Sequence, residues 1–175
     1  MLQNKDLPRY GKNLLVSRPL LVLLLLLLAI VLFSCKKTYG TAPELNVGEE
    51  IPEFEIRTLY GPTFSSSSVK GRGAVITFFN TWCPDCERVL PVIQEWMNND
   101  PTETIYLCIA RGQGNDVIMA RWDDWEFTMT AAGDPDKKIY NEFTGDNGYG
   151  VPVVYLFDEE GICRKKILQN EPLVR

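Results

Sequence analysis

The 175-residue chain contains no histidine. That absence removes imidazole as a general base or nucleophile activator and takes away the commonest transition-metal ligand. Basic surface is scarce too. From residue 36 onward 14 basic residues face 22 acidic ones, so no positive stripe exists to neutralise phosphates, and nucleic acid is not expected as a partner. No apolar run reaches the roughly 20 residues that a membrane-spanning helix needs; the longest, residues 20–33, has 14. Cysteine is limited to five residues, of which Cys83 and Cys86 form the one C-x-x-C pair. A structural zinc site needs four ligands, and the chain offers no second such pair, so no metal is expected. With 45% hydrophobic residues, the composition excludes wholesale disorder and collagen-like repetition. The length suits one domain with a real core.

The apolar run does fit the core of an export signal, which needs about 7–15 residues. Lys5, Arg9, Lys12 and Arg18 precede it, as such a signal requires. Leu32-Phe33-Ser34-Cys35 resembles a bacterial lipobox, which implies that Cys35 is lipidated and becomes the new N-terminus, with three acyl chains sufficing for stable anchoring. An uncleaved signal anchor is the alternative. Either way the remainder lies outside the cytoplasmic membrane, facing the periplasm, where disulfides persist; inner or outer membrane is left open. Residues 1–35 thus read as a lipoprotein signal peptide, 36–47 as a polar, aperiodic tether and 48–175 as the folded domain.

Within that domain, residues 51–57 alternate as a half-buried strand, and 63–64 form a short return strand after the Tyr60-Gly61-Pro62 turn. Residues 65–73 read as a polar connection. The continuous β-prone run 74–79 predicts a strand covered on both faces. A helix from 83 to 98 follows, with Val89, Ile93 and Trp96 on its apolar face and Pro91 expected to kink it. Residues 104–110 predict a second buried strand. Asn115 or Asp116 could cap a helix running to 125. A short strand at 127–131, a helix from 134 to 143, a flexible loop at 145–150, a strand at 153–157 and its hairpin partner at 162–168 complete the chain. Alternating strands and helices predict an α/β fold with a parallel core and antiparallel terminal strands.

The chemistry concentrates in Trp82-Cys83-Pro84-Asp85-Cys86. Cys83 falls where a buried strand gives way to a helix, so unpaired N–H groups and the positive end of the dipole would favour its thiolate. Pro84 suits the first helical position. Cys86 lies about one turn further on, within reach of Cys83. The spacing suggests that Cys83 attacks a substrate disulfide and that Cys86 resolves the mixed disulfide. A purely structural disulfide across so short a loop would gain little stability. Cys108 and Cys163 stand singly in apolar strands and read as small buried hydrophobes.

Strand 74–79 leading into this motif, Pro91 five residues beyond Cys86, and the segment from Gly150-Val151-Pro152 to Gly161 together resemble the thioredoxin superfamily. Within it the chain is similar to the membrane-tethered TlpA/ResA-like thiol-disulfide oxidoreductases, because Cys83 and Pro152 stand further apart than in plain thioredoxin. The resemblance implies a thioredoxin-like fold: a central mixed sheet flanked by helices, an N-terminal strand pair and an inserted helix and strand. It further implies a cis Val151–Pro152 bond against the Cys83–Cys86 pair, with Trp82, Pro84, Val151 and Pro152 forming the docking surface for an extended substrate segment. It places Cys108 and Cys163 on opposite sides of the active-site strand, unpaired. Protein thiols and disulfides would be the substrates and a membrane electron donor a partner, with no cofactor besides the redox-active cysteines.

Four departures qualify the resemblance. Thr77 occupies the position of thioredoxin's buried carboxylate; Val89 stands where ResA-like proteins carry a glutamate, and Glu87 is displaced from it by helical azimuth. Val153 follows Pro152 in place of the usual threonine. Only seven residues follow Leu168, too few for the usual C-terminal helix, which is expected to be missing. Asp85 and Glu87 oppose a thiolate while Arg88 favours it, which points to a protein disulfide reductase over an oxidase. The alternatives are a non-catalytic thioredoxin-fold lipoprotein stapled by Cys83–Cys86, and a peroxiredoxin-type peroxidase, for which Thr81 is one residue too close to Cys83.

Overall fold

A computed structural model describes residues 43–173 of the chain. The expected signal segment, the expected lipobox with Cys35 and residues 36–42 of the expected tether lie outside the described residues. Seven strands and three α-helices follow in the order β1 (Glu55–Arg57), β2 (Thr63–Ser65), β3 (Ala74–Phe79), α1 (Pro84–Asn98), β4 (Ile105–Arg111), α2 (Asn115–Asp124), β5 (Thr130–Asp134), α3 (Lys138–Thr144), β6 (Val153–Phe157) and β7 (Cys163–Ile167). β1 and β2 form a hairpin of their own; the other five make a mixed sheet in the order β5-β4-β3-β6-β7. β3 and β4 run parallel, with Thr77 opposite Cys108, and β3 and β6 antiparallel, with Thr77 opposite Val154. This is the thioredoxin-like α/β architecture, and β3 is its central strand.

Successive side chains of a strand point to opposite faces, and two adjacent phenylalanines show how both faces of β3 are used. Phe78 packs against Tyr140, Phe143 and Tyr155 at centroid distances of 5.4, 5.1 and 6.2 Å. Phe79 meets Trp122 at 5.3 Å on the other face, and Trp122 in turn contacts Phe127 at 5.3 Å. All six residues of β3 are buried, as a strand covered on both sides requires.

Several boundaries differ from the sequence expectation, each for a local reason. The fully buried residues of α1 are Cys86, Leu90 and Ile93; of the expected apolar face, Leu90 and Ile93 lie at its centre and Val89, Trp96 and Met97 pack at its margin, while Cys86 joins the core as well. α1 continues without interruption through Pro91. Residues Ser66–Val69 form a 3₁₀ turn in place of a plain polar connection, and Gly145–Asn147 form another within the 145–150 loop. β5 starts three residues later than expected because Phe127 is taken up by the tryptophan cluster. Asp134 therefore ends a strand; α3 begins only after Lys137, whose φ is 58°, and Asp134 Oδ2 accepts the Tyr140 N–H at 2.8 Å. α2 is capped by Gly114 without a side-chain bond, since Asn115 spends its amide elsewhere. Its Oδ1 accepts the Gly133 N–H and its Nδ2 donates to Arg57 O.

The end of the expected tether is already part of the fold. Leu45 is buried and its N–H donates to Phe143 O, while Glu44 pairs with Lys166 and accepts from Tyr149 Oη. Among the described residues no helix follows β7; a turn closed by the Glu171 N–H donating to Leu168 O follows instead, and Leu168 and Leu173 pack on the core.

Candidate active site

The site forms where the ends of β3 and β6 meet the start of α1. Strand pairing of Phe78 with Val153 brings the turn after β3 against the residues that precede β6. Cys83 is the N-cap of α1, in extended conformation, and Pro84 occupies the first turn, where a missing N–H costs nothing. The Cys83 sulfur accepts the Cys86 N–H at 3.2 Å, and as a thiol donates to Val151 O at 3.2 Å. The Val151–Pro152 bond is cis, and both residues are buried.

The two thiols sit in different surroundings. Cys83 is half-buried, whereas Cys86 is fully buried. Burial pushes the Cys86 thiol well above its ordinary value, and the neighbouring Cys83 pushes it further. All four described cysteines are free. Cys108 and Cys163 lie on β4 and β7, separated by β3 and β6, too far apart in the sheet to pair. Cys108 Sγ contacts Met129 Sδ at 3.8 Å, and burial alone raises its pKa.

Trp82 is 66% exposed beside this pair, so it is a surface aromatic and contributes nothing to the core. Pro84 is exposed as well. Asp85 is held by Arg88 and by Gln169 Nε2, the latter from the segment after β7. Glu87 faces away from the thiols and bridges to Arg121 on α2 at 2.8 Å. No carboxylate takes the place that thioredoxin fills at position 77: Thr77 is fully buried, and its hydroxyl has no partner among the described residues. No cluster of three or more His, Cys, Asp or Glu residues able to hold a metal occurs among the described residues.

Sequence reasoning missed three polar residues that hold this site. Gln113 is 2% exposed and grips Thr81 through both ends of its amide. Asn80, with its amide turned to satisfy it, donates to Phe79 O and Arg111 O. Gln169 reaches the motif from 84 residues away in sequence. The pattern Gly112-Gln113-Gly114 at the end of a buried strand was the available hint, a long polar side chain between two residues that offer it no neighbours.

Comparison with known proteins agrees with this geometry. The chain is 31% identical over 149 residues to the thiol-disulfide oxidoreductase ResA of Geobacillus thermodenitrificans, covering 83% of each. It is 24% identical over 163 residues to the ResA of Bacillus anthracis, covering 91% of each. Among solved structures, StoA from Bacillus subtilis superposes with a TM-score of 0.59 at 20% identity, over 70% of this chain and 90% of that one. The pneumococcal exposed lipoprotein thioredoxin does so with a TM-score of 0.59 at 18% identity, over 71% and 92%. The model of the AhpC/TSA family matches residues 47–166. The chain belongs to this thioredoxin-like family and is a thiol-disulfide oxidoreductase that works through its own cysteines.

Proposed function

We propose that the protein is an exported, lipid-anchored protein disulfide reductase, tethered through Cys35, in which Cys83 attacks and Cys86 resolves. The observation that carries this assignment is the contrast within one helical turn: a half-exposed Cys83 sulfur facing Val151 O, and a fully buried Cys86 whose thiol is pushed upward by that burial. At neutral pH the buried sulfur keeps its proton, and the accessible one meets substrate first.

The chemistry balances without a cofactor. The Cys83 thiolate attacks one sulfur of a substrate disulfide, forming a Cys83–substrate bond and releasing the other substrate sulfur as a thiolate. The Cys86 N–H supports negative charge on Cys83 before attack. Cys86 then loses its proton and attacks Cys83 Sγ, which forms the Cys83–Cys86 disulfide and releases the second substrate thiolate. The substrate gains two electrons and the pair loses two; a membrane dithiol donor returns them. Trp82, Pro84, Val151 and Pro152 form the docking surface, with the backbone at Val151 pairing with an extended substrate segment. The relatives named ResA, and the neighbour named an exposed lipoprotein, support an extracytoplasmic, membrane-associated setting.

Trapping tests this directly. Cys86→Ser should accumulate covalent mixed disulfides with envelope proteins, released by dithiothreitol, while Cys83→Ser should trap none and reduce nothing. Equal trapping by both variants would overturn the division of roles.

A further inference from the structure

Gln113 lies outside the C-x-x-C motif and outside the segment around Pro152, yet both ends of its amide are engaged beside them. It stands in the loop between β4 and α2, 2% exposed. Its Oε1 accepts the Thr81 N–H at 2.9 Å, and its Nε2 donates to Thr81 Oγ1 at 2.8 Å. Thr81 is two residues before Cys83, in a turn closed by the Cys83 N–H donating to Asn80 O at 3.3 Å. Asn80 is bound to Arg111 O, on the strand that leads to Gln113. Both residues ahead of Trp82 are therefore fastened to the same neighbouring loop.

That loop is itself held. A Cβ on Gly133 would lie 2.5 Å from Gln113 O and 2.8 Å from Asn115 N, so β5 presses its backbone directly onto residues 113–115. Asn115 accepts the Gly133 N–H at 2.6 Å and donates to Arg57 O at 3.0 Å. The contacts run from the inserted β5 and α2, through Gln113, to Thr81 and so to the attacking sulfur.

From this we infer that Gln113 is a positioning residue: its amide holds the Asn80–Trp82 turn so that the Cys83 sulfur stays aligned with the Cys86 N–H and Val151 O, and the inserted helix and strand serve as its buttress. The physical reason for an amide here is that one planar group must accept from a backbone N–H and donate to a hydroxyl at once. A carboxylate could accept but not donate, and would set a buried negative charge close to a thiolate. The inference rests on Cys83 being the attacking thiol.

A double-mutant cycle in the full-length chain, solubilised in detergent, tests it with Gln113→Ala, Thr81→Val and the pair combined. Two quantities are read: the pH profile of Cys83 alkylation by iodoacetamide, and the rate of insulin disulfide reduction. Each single variant should slow reduction about tenfold and move the alkylation profile upward by about half a pH unit. The combined variant should be no worse than Gln113→Ala by more than about twofold, because Gln113→Ala already removes the hydroxyl bond that Thr81→Val removes, while Thr81→Val alone keeps the backbone N–H bond to Gln113. Thr81→Ser, which keeps the hydroxyl, should restore both readouts to within about twofold. Thr81 is half-exposed, so its variants remain informative if Gln113→Ala does not fold. Unchanged alkylation and reduction in Thr81→Val, or losses that multiply in the combined variant, would overturn the inference. A wild-type protein whose Cys83 is not the alkylated thiol would overturn the attacking role of Cys83 instead, and so separates the two failures.

Discussion

At the scale of single residues, the cysteines show how one side chain takes different roles from its surroundings. Cys83, the N-cap of a helix, stays half-buried, whereas Cys86, Cys108 and Cys163 are lost to the core. Burial pushes the Cys163 thiol from about 9 up to about 11, with Glu49 adding to the rise, and pushes Cys86 and Cys108 upward as well. The consequence for stability has a definite sign. Above pH 9 an unfolded thiol ionises while the folded one retains its proton, so the native state binds more protons and stability falls as pH rises. The contribution of Cys163 to stability should therefore be level below about pH 9 and decline from 9 towards 11, and Cys163→Ala should show a shallower decline in urea denaturation over that window. An identical slope in wild type and variant would mean that this thiol is not shielded.

The same residues mark how far the sequence could be read. Cys83 and Cys86 were legible because spacing and a helix start are local features, whereas the cis bond before Pro152 was expected only from the family resemblance. Gln113 was not legible, because its partner Thr81 stands 32 positions away, in the turn after β3.

At the scale of elements, β3 carries the structure. It is paired on both edges, to β4 and β6, and filled on both faces. Phe78 is fully buried and makes edge-to-face contacts with three aromatic rings, which adds to plain area burial. Phe78→Ala should cost about 3–5 kcal/mol by chemical denaturation. A loss under about 1 kcal/mol would mean the aromatic cluster repacks around the gap. β3 and β4 were legible as buried apolar runs, while β1 is shorter than its alternating pattern over 51–57 and α2, β5 and α3 were displaced at their ends. Phe127 and Asp134 look like strand and helix starters by propensity, but tertiary partners claim them first, the tryptophans in one case and the Tyr140 N–H in the other. Both sheet edges are managed. β5 is bridged by Thr58, and β7 is joined at its start by residues 48–50 and carries Arg164, Lys165 and Lys166 along the rest, charges that discourage edge-to-edge association.

At the scale of the whole molecule, the question is which way electrons flow through the pair. Asp85 faces Arg88 and Gln169, and Glu87 faces Arg121, so the acidic residues around the motif are mostly compensated. The buried Cys86 keeps its proton and so adds no thiolate stabilisation to the reduced pair, whereas stabilisation of the reduced form is what makes DsbA a strong oxidant; the couple should therefore be more reducing than that of DsbA. Equilibration in glutathione or dithiothreitol buffers should give a potential near or below about −270 mV, as for thioredoxin. A value near about −120 mV would make the protein an oxidant, and a pair still oxidised well below about −300 mV would make it a structural staple.

Composition and local order by themselves determined much of this protein. The lack of histidine excluded imidazole chemistry, the strand-to-helix junction located the thiols, and alternating elements set the α/β class, because each depends on residues close together in the chain. Tertiary structure alone decided that Leu45 and Glu44 belong to the domain, that Gln113 and Asn80 are bonded across the turn after β3, and that Gln169 reaches Asp85 at the start of α1. Those contacts join positions that only the folded sheet brings together, and hydrogen bonds over such separations leave no periodicity to read.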